Sequence, residues 1–282
     1  VHALIQAGAT VEQQATVCDG NLNKILHFLP PTSDVNEEMV KILLNSDGNA
    51  PLYPTLLTAL MTASILNPPV VKQLLDARIS IETRGFLGRT AVMFAASQGH
   101  LSTVKLLHQY GANLNHLLED SRNALILAAD NGHLPIVNFL YDLGLFDIEH
   151  PCHNGATALI LASKKNHGAV VQFLLEKGAN PDAKITGITA LMIAAKHDHP
   201  NIARLLIKHK ANVLHSKMAH SSRIDKVTAL TFAAASGSQS IIEQLIMAGA
   251  CNLPSGPSPN YETKLFMETQ LVDSYKLAVD YE

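Results

Sequence analysis

Thr90-Ala91-Val92-Met93-Phe94-Ala95-Ala96-Ser97-Gln98-Gly99-His100 decides the fold, because the pattern returns four more times down the chain. The later copies begin at Asn123 (N-A-L-I-L-A-A-D-N-G-H), Thr157 (T-A-L-I-L-A-S-K-K-N-H), Thr189 (T-A-L-M-I-A-A-K-H-D-H) and Thr228 (T-A-L-T-F-A-A-A-S-G-S). The first four starts are 33, 34 and 32 residues apart, and the fifth follows after 39. Self-similarity at a period near 33 means one supersecondary unit per repeat, stacked into a solenoid. Such an array offers an extended surface instead of an enclosed pocket, so its default role is binding.

Working outward from each copy, an apolar run follows about ten residues after the alanine pair and ends on a glycine. Val104-Lys105-Leu106-Leu107 precedes Gly111-Ala112-Asn113, Val171-Gln172-Phe173-Leu174-Leu175 precedes Gly178-Ala179-Asn180, and Ile242-Glu243-Gln244-Leu245-Ile246 precedes Gly249-Ala250. The spacing predicts two short antiparallel helices per repeat. Alanine keeps the first one narrow, so that neighbouring helices can approach closely. The second carries aliphatic residues at i, i+3 and i+4, one face to bury against the next repeat. The closing glycine suits the left-handed residue that stops a helix.

These residues resemble the ankyrin-repeat pattern G-x-T-P-L-H-x-A-A-x-x-G-H-x-x-x-V-x-x-L-L-x-x-G-A. Gly88, Gly155 and Gly187 stand two residues before their threonines, where that family places its β-turn. The chain departs from the pattern with Ala91, Ala124, Ala158, Ala190 and Ala229 in the proline position, and with apolar residues (a threonine in the fifth copy) in place of the histidine of T-P-L-H. The resemblance implies an all-α solenoid of stacked helix-turn-helix repeats with β-turn or hairpin fingers. It also implies protein binding as the function.

Weaker copies extend the array upstream. Leu57-Thr58-Ala59-Leu60-Met61-Thr62-Ala63 supplies a first helix and Val71-Lys72-Gln73-Leu74-Leu75 a second. Lys24 to Leu29 and Val40 to Leu44 read as an irregular earlier pair, joined by a lengthened turn at Pro30 to Asp34. The chain opens on Val1-His2-Ala3-Leu4-Ile5-Gln6-Ala7-Gly8-Ala9, the second half of a repeat without an initiator Met, as a piece of a longer protein would. The expected array, a half-repeat and about seven helix pairs, therefore covers residues 1–252. Residues 253–259 form a Pro/Ser/Gly linker, and 260–282 an amphipathic helix. That helix either caps the last repeat, as solenoids require, or begins a following domain.

Composition narrows the setting. No apolar run approaches the ~18 residues of a membrane span. Cys18, Cys152 and Cys251 lie in different repeats with no CxxC spacing, which reads as free thiols in a reducing, intracellular compartment, most simply the cytoplasm.

Chemistry finds little footing. His100, His133, His167 and His199 recur in one slot of successive repeats. Adjacent helices pack roughly 8–10 Å apart, whereas two zinc-bound imidazoles each need about 2 Å to one metal. A hydrogen bond to the turn between helices is the better reading. His197 and His199, two residues apart, do not share a helix face, so they are not expected to bind metal. Cys152-His153 lacks a third group to orient a base, and no phosphate-cradling GxxxxGK loop is present. No catalysis, metal or other cofactor is expected.

The resemblance implies a concave groove lined by the residue before each threonine and the two after each alanine pair. Carried onto this chain, those slots are Arg89, Ser97 and Gln98, then Arg122, Asp130 and Asn131, then Lys164 and Lys165, then Lys196 and His197. Their character changes from Asp130-Asn131 to cationic pairs in the two following repeats. Lys184 to Lys226 holds eight Lys/Arg against two acids, a net of +6 in a chain that is −3 overall. Such a region attracts an acidic or phosphorylated protein or peptide. It argues against nucleic acid, because the basic residues are not interleaved with stacking aromatics. The turn between the fourth and fifth copies is lengthened by about six residues, across Leu214 to Arg223, and insertions of this kind often lie on the binding face.

Three function classes remain open to the sequence: a protein-interaction module, a recognition or positioning segment of a larger multidomain enzyme or secreted effector, and a mechanical spacer. The capping reading of the tail is testable by itself. Deleting residues 260–282 should lower solubility or the unfolding midpoint by exposing the last repeat's apolar side. An unchanged melting curve and unchanged monodispersity would show that the tail is not a cap.

Overall fold

A threonine or asparagine ahead of an alanine-rich run starts a helix in every copy. In the computed structural model, which describes residues 68–76, 81–82, 84, 88–218 and 226–250, the first helices are α2 (Ala91–Gln98), α4 (Ala124–Asp130), α6 (Ala158–Lys164), α8 (Ala190–Lys196) and α10 (Ala229–Ala235). The second helices are α1 (Pro68–Asp76), α3 (Leu101–Gln109), α5 (Leu134–Asp142), α7 (Gly168–Glu176), α9 (Pro200–Lys208) and α11 (Gln239–Met247). Helix α1 is the second helix that the Val71–Leu75 run implied, with Val71 and Leu74 fully buried. The leading half-repeat, the copies before residue 68, Cys18, Cys251, the linker 253–259 and the tail 260–282 lie outside the described residues.

Side-chain caps mark the start of three of the first helices. Asn123 Oδ1 accepts from the Ile126 N–H at 2.9 Å, and Thr189 Oγ1 from Met192 N–H at 3.3 Å. Thr228 and Thr231 form a reciprocal capping box. The second helices stop where the backbone turns left-handed, at Gly111, Gly178 and Gly249 with φ of 86°, 90° and 87°. In the fourth repeat Lys210 takes that conformation at φ 64°, which a side chain makes costlier than glycine.

The chain divides into two units, residues 1–128 and 129–282, each described by itself. In the first, α3 packs on α1 and on α2. The Tyr110 hydroxyl donates to Asp76 at 2.6 Å, joining the ends of α1 and α3, and this bond holds the phenol's pKa above its usual value. In the second, α8 lies between α6 and α10 and packs on its own partner α9, while α7 contacts α5 and α9, and α9 contacts α11. Six of the seven residues of α8 are buried, since a central first helix has neighbours on nearly every side. Alanine permits this, and Ala162, Ala194, Ala195 and Ala233 are all fully buried. The second helices bury one stripe only: Ile202, Ala203 and Leu206 on α9, with Asn201, Arg204 and Lys208 exposed.

Fingers connect one helix pair to the next. The strands β1 (Lys184–Ile185) and β2 (Ile188–Thr189) form a minimal antiparallel hairpin. The expected insertion at Leu214–Arg223 supplies β3 (Ser216–Met218), which pairs with β4 (Lys226–Thr228) in the register Ser216↔Thr228 and Met218↔Lys226. Its strands are one residue longer each than those of the β1–β2 hairpin.

Two sets of polar bonds tie repeat to repeat, and the first went unread in the sequence. Glu149 Oε1 accepts from Asn180 N–H at 2.7 Å, and Asp182 Oδ1 accepts from Asn212 N–H at 2.8 Å. Each acid is itself placed by the residue two before it: Asp147 Oδ1 accepts from Glu149 N–H, and Asn180 Oδ1 from Asp182 N–H. The series runs Asp147, Glu149, Asn180, Asp182, Asn212 and ends on Leu214. In the first unit Glu82 holds Asn113 in the same way at 2.6 Å.

The second set uses the recurring histidine. His167 Nε2–H donates to the Asp130 carbonyl at 3.0 Å, and His199 Nε2–H to the Lys164 carbonyl at 3.2 Å. The expected hydrogen bond is present, but it reaches the end of the preceding repeat's first helix. Room for the ring is limited. A Cβ built on Gly132 would stand 2.5 Å from His167 Nδ1, so the imidazole lies directly against that glycine.

Gly132 and Gly178 therefore separate two effects. Both have positive φ, but a Cβ on Gly178 meets nothing within 4 Å. Gly178→Ala should destabilise by roughly 1–2 kcal/mol from backbone strain alone. Gly132→Ala should cost roughly 1–3 kcal/mol more, because the ring must swing away and release Asp130. Urea unfolding of the two variants checks this, and equal losses would mean that the histidine contact contributes nothing.

Candidate functional site

The expected groove residues are placed differently in the two units. In the first, Arg89 lies half-buried with its guanidinium over the Phe94 ring, 5.5 Å from the centroid. Ser97 departs from expectation: it is 4 % exposed and its hydroxyl donates to the Phe94 carbonyl at 2.9 Å. A short side chain at the end of α2 folds back on its own helix, while the neighbouring Gln98 is exposed. Arg122 is committed within its own turn, where Nε donates to Asp120 at 2.6 Å and the backbone N–H to the same carboxylate at 3.2 Å. That ion pair orders the finger before α4, so Arg122 reads as a turn anchor more than a free contact.

The second unit presents its slots outward. Asp130 is half-buried, its carbonyl held by His167, and Asn131 is exposed. Lys164, Lys165, Lys196 and His197 are all exposed, at the C-terminal ends of α6 and α8. The Lys196 ammonium stands 6.0 Å from the centre of the Phe232 ring, near the outer limit of a cation–π contact.

One geometric feature was not readable from spacing. His197 and His199 do not share a helix face, as expected, because both lie past the end of α8. Their rings nevertheless stack, 5.9 Å between centroids and 21° from parallel. Asp198 between them has φ 54°, and this left-handed residue returns the chain so that i and i+2 face the same side. His199 then does two things: it donates to the Lys164 carbonyl and it backs the His197 ring. The turns after α6 and α8 are thereby joined.

The electrostatics follow. Burial against this stack, and then the charges of His199, Lys196 and Lys164, hold the His197 pKa below its ordinary 6.5. Cations crowd it, so the neutral imidazole is favoured.

The wider basic stretch divides between surfaces. Arg204 and Lys208 are exposed on the second helix α9, Lys184 lies on β1, and Lys217 and Lys226 belong to β3 and β4. Cys152 is buried beside an exposed His153. Among the described residues no three His, Cys, Asp or Glu side chains gather as a metal site, and no helix is long and apolar enough to cross a membrane.

Comparison with known proteins agrees with this architecture. The family model for ankyrin repeats matches at residues 32–117, 60–149, 92–185 and 182–255. A search of curated proteins returns no match. Among solved structures, the ankyrin repeat domain of Bcl-3, described as a unique member of the IkappaB protein family, is 27% identical with a TM-score of 0.57. That alignment covers 73% of this chain and 89% of the Bcl-3 chain. With T-A-L-x-x-A-A helices, left-handed glycine stops, fingers and a matching family model over most of its length, the chain belongs to the ankyrin-repeat family.

Proposed function

We propose that this chain is an intracellular protein-interaction module that offers the turn face of its repeats, the groove of the family, to an acidic or phosphorylated protein or peptide. The single observation that carries the reading is the run of exposed basic side chains at equivalent positions of adjacent repeats: Lys164 and Lys165 at the end of α6, Lys196 and the titratable His197 at the end of α8. A lone lysine on a helix end is an ordinary solvated side chain. Two adjacent turns of the same sign, linked through His199, make a local field that steers an anionic segment. Equivalent positions one repeat apart stand about 10 Å from each other, a span that suits an extended peptide with acids a few residues apart. Ankyrin repeats are protein-interaction modules, and no catalytic step is part of this reading.

Charge reversal tests it. Lys164→Glu, Lys165→Glu and Lys196→Glu together should leave the fold intact, because exposed substitutions usually cost under ~0.5 kcal/mol each. Association with an acidic peptide probe should slow, and the dependence of binding on salt should weaken or reverse. Circular dichroism checks the fold, and stopped-flow binding at two salt concentrations checks the rates. Unaltered affinity with an intact fold would move the site elsewhere, first of all to the insertion at Leu214–Arg223.

A further inference from the structure

The basic turns contain one group that differs in kind from the lysines around it. His197 is exposed, and its ring is held in place by the stack with His199. His199 in turn is fixed by its bond to the Lys164 carbonyl, which sets the end of α6 beside the turn that follows α8. Lys196 adjoins His197 at the helix end. Lys164 and Lys196, from two repeats, are thus close enough to act electrostatically on an imidazole whose ring is fixed by its stack, while the Lys196 ammonium also lies 6.0 Å from the centre of the Phe232 ring.

Resting on the partner-surface reading above, we infer that Lys164, Lys196 and His197 form a single anion site for one carboxylate or phosphoryl side chain of the partner, and that seating this anion puts a proton on His197. The proton balance is simple: solvent supplies one proton to the imidazole, and a neutral acceptor becomes a donor to the anionic oxygen. The charged groups around His197 are Lys164 and Lys165 at the end of α6, Lys196 before it, and Asp198 and His199 after it; the corresponding turn of the next repeat offers only the uncharged Ser236. Without an anion, burial and these cations disfavour the imidazolium. An anion seated between them reverses the sign of the local field, and a charge-assisted hydrogen bond from His197 follows. His199 is poorly placed to take this role, since its Nε2–H is committed to Lys164.

The sign of the pH dependence is fixed by this cycle. The free imidazole titrates below 6.5 and the anion-bound imidazole above that free value, so affinity rises as pH falls through this window. Below the free value both states are protonated and the gain levels off.

Titration calorimetry on the full chain tests the inference, using a four-glutamate peptide in a Gly/Ser frame at pH 7 and two buffers of different ionisation enthalpy. A single-phosphoserine peptide and its unphosphorylated form make the second arm, and distinguish phosphoryl from carboxylate. The expected result is fractional proton uptake with whichever anionic peptide binds, and an affinity gain of about threefold or more between pH 8 and pH 6 for the glutamate peptide. In His197→Gln binding should be weaker, without proton uptake and flat across this range. Binding without uptake by the native chain, or uptake that persists in His197→Gln, would overturn the anion site while the partner surface stood. Binding that survives the triple lysine reversal, or none to any anionic peptide, would overturn both.

Discussion

A helix pair of about eighteen residues cannot bury its own apolar faces, so everything in this chain depends on contact between neighbouring repeats. Alanine makes that contact close, as in α8, where six of seven residues are buried between other helices. Close approach creates a second problem, because the fingers and turns bring backbone N–H and C=O groups out of reach of their own helices. The two polar series solve it from opposite ends. Carboxylates of one finger accept N–H groups of the next, as Glu149 does for Asn180. Imidazoles at the other end donate to the last carbonyl of the preceding first helix, as His167 does for Asp130. Apolar burial supplies most of the stabilisation, and these bonds set the spacing at which it is achieved.

The same construction positions the surface. A first helix that is buried on most sides leaves free chiefly its C-terminal end, and the turn after it becomes the place where side chains can vary without cost to the core. Lys164, Lys165, Lys196 and His197 occupy that place. Ser97 occupies it in the first unit yet turns inward, because its short side chain reaches the Phe94 carbonyl. Position along the repeat therefore decides which residues are available, and side-chain length decides which of them reach solvent.

Much of this was legible from the residues themselves. The period near 33 identified the stacked unit, the alanine pairs marked the first helices, and Gly111, Gly178 and Gly249 marked where the second ones stop. The finger carboxylates were not read, although a signal for them existed: an acid two residues after an Asn or Asp in the same slot, as in Asp147-x-Glu149 and Asn180-x-Asp182. The partners lie 31 and 30 residues away, a distance at which no local pattern speaks. The stacking of His197 on His199 was hidden for another reason. It depends on the backbone conformation of Asp198, and most residues at that position would have glycine's conformation only at some cost.

The tight fit of His167 against Gly132 bears on how such a chain can be rearranged. A repeating sequence suggests interchangeable parts, yet the boundaries are individually matched. Gly132 admits an imidazole at 3.0 Å from the Asp130 carbonyl; Asn166, with a side chain in the same slot, accompanies a longer bond from His199; and Asp198 is followed by Ser238 where the others have histidine. Moving a repeat to another place in the series would pair a histidine with a slot of different size, or leave a gap where a ring belongs. Duplication and shuffling by recombination would thus produce joints of unequal fit, so the edges of the repeats favour the order in which they stand.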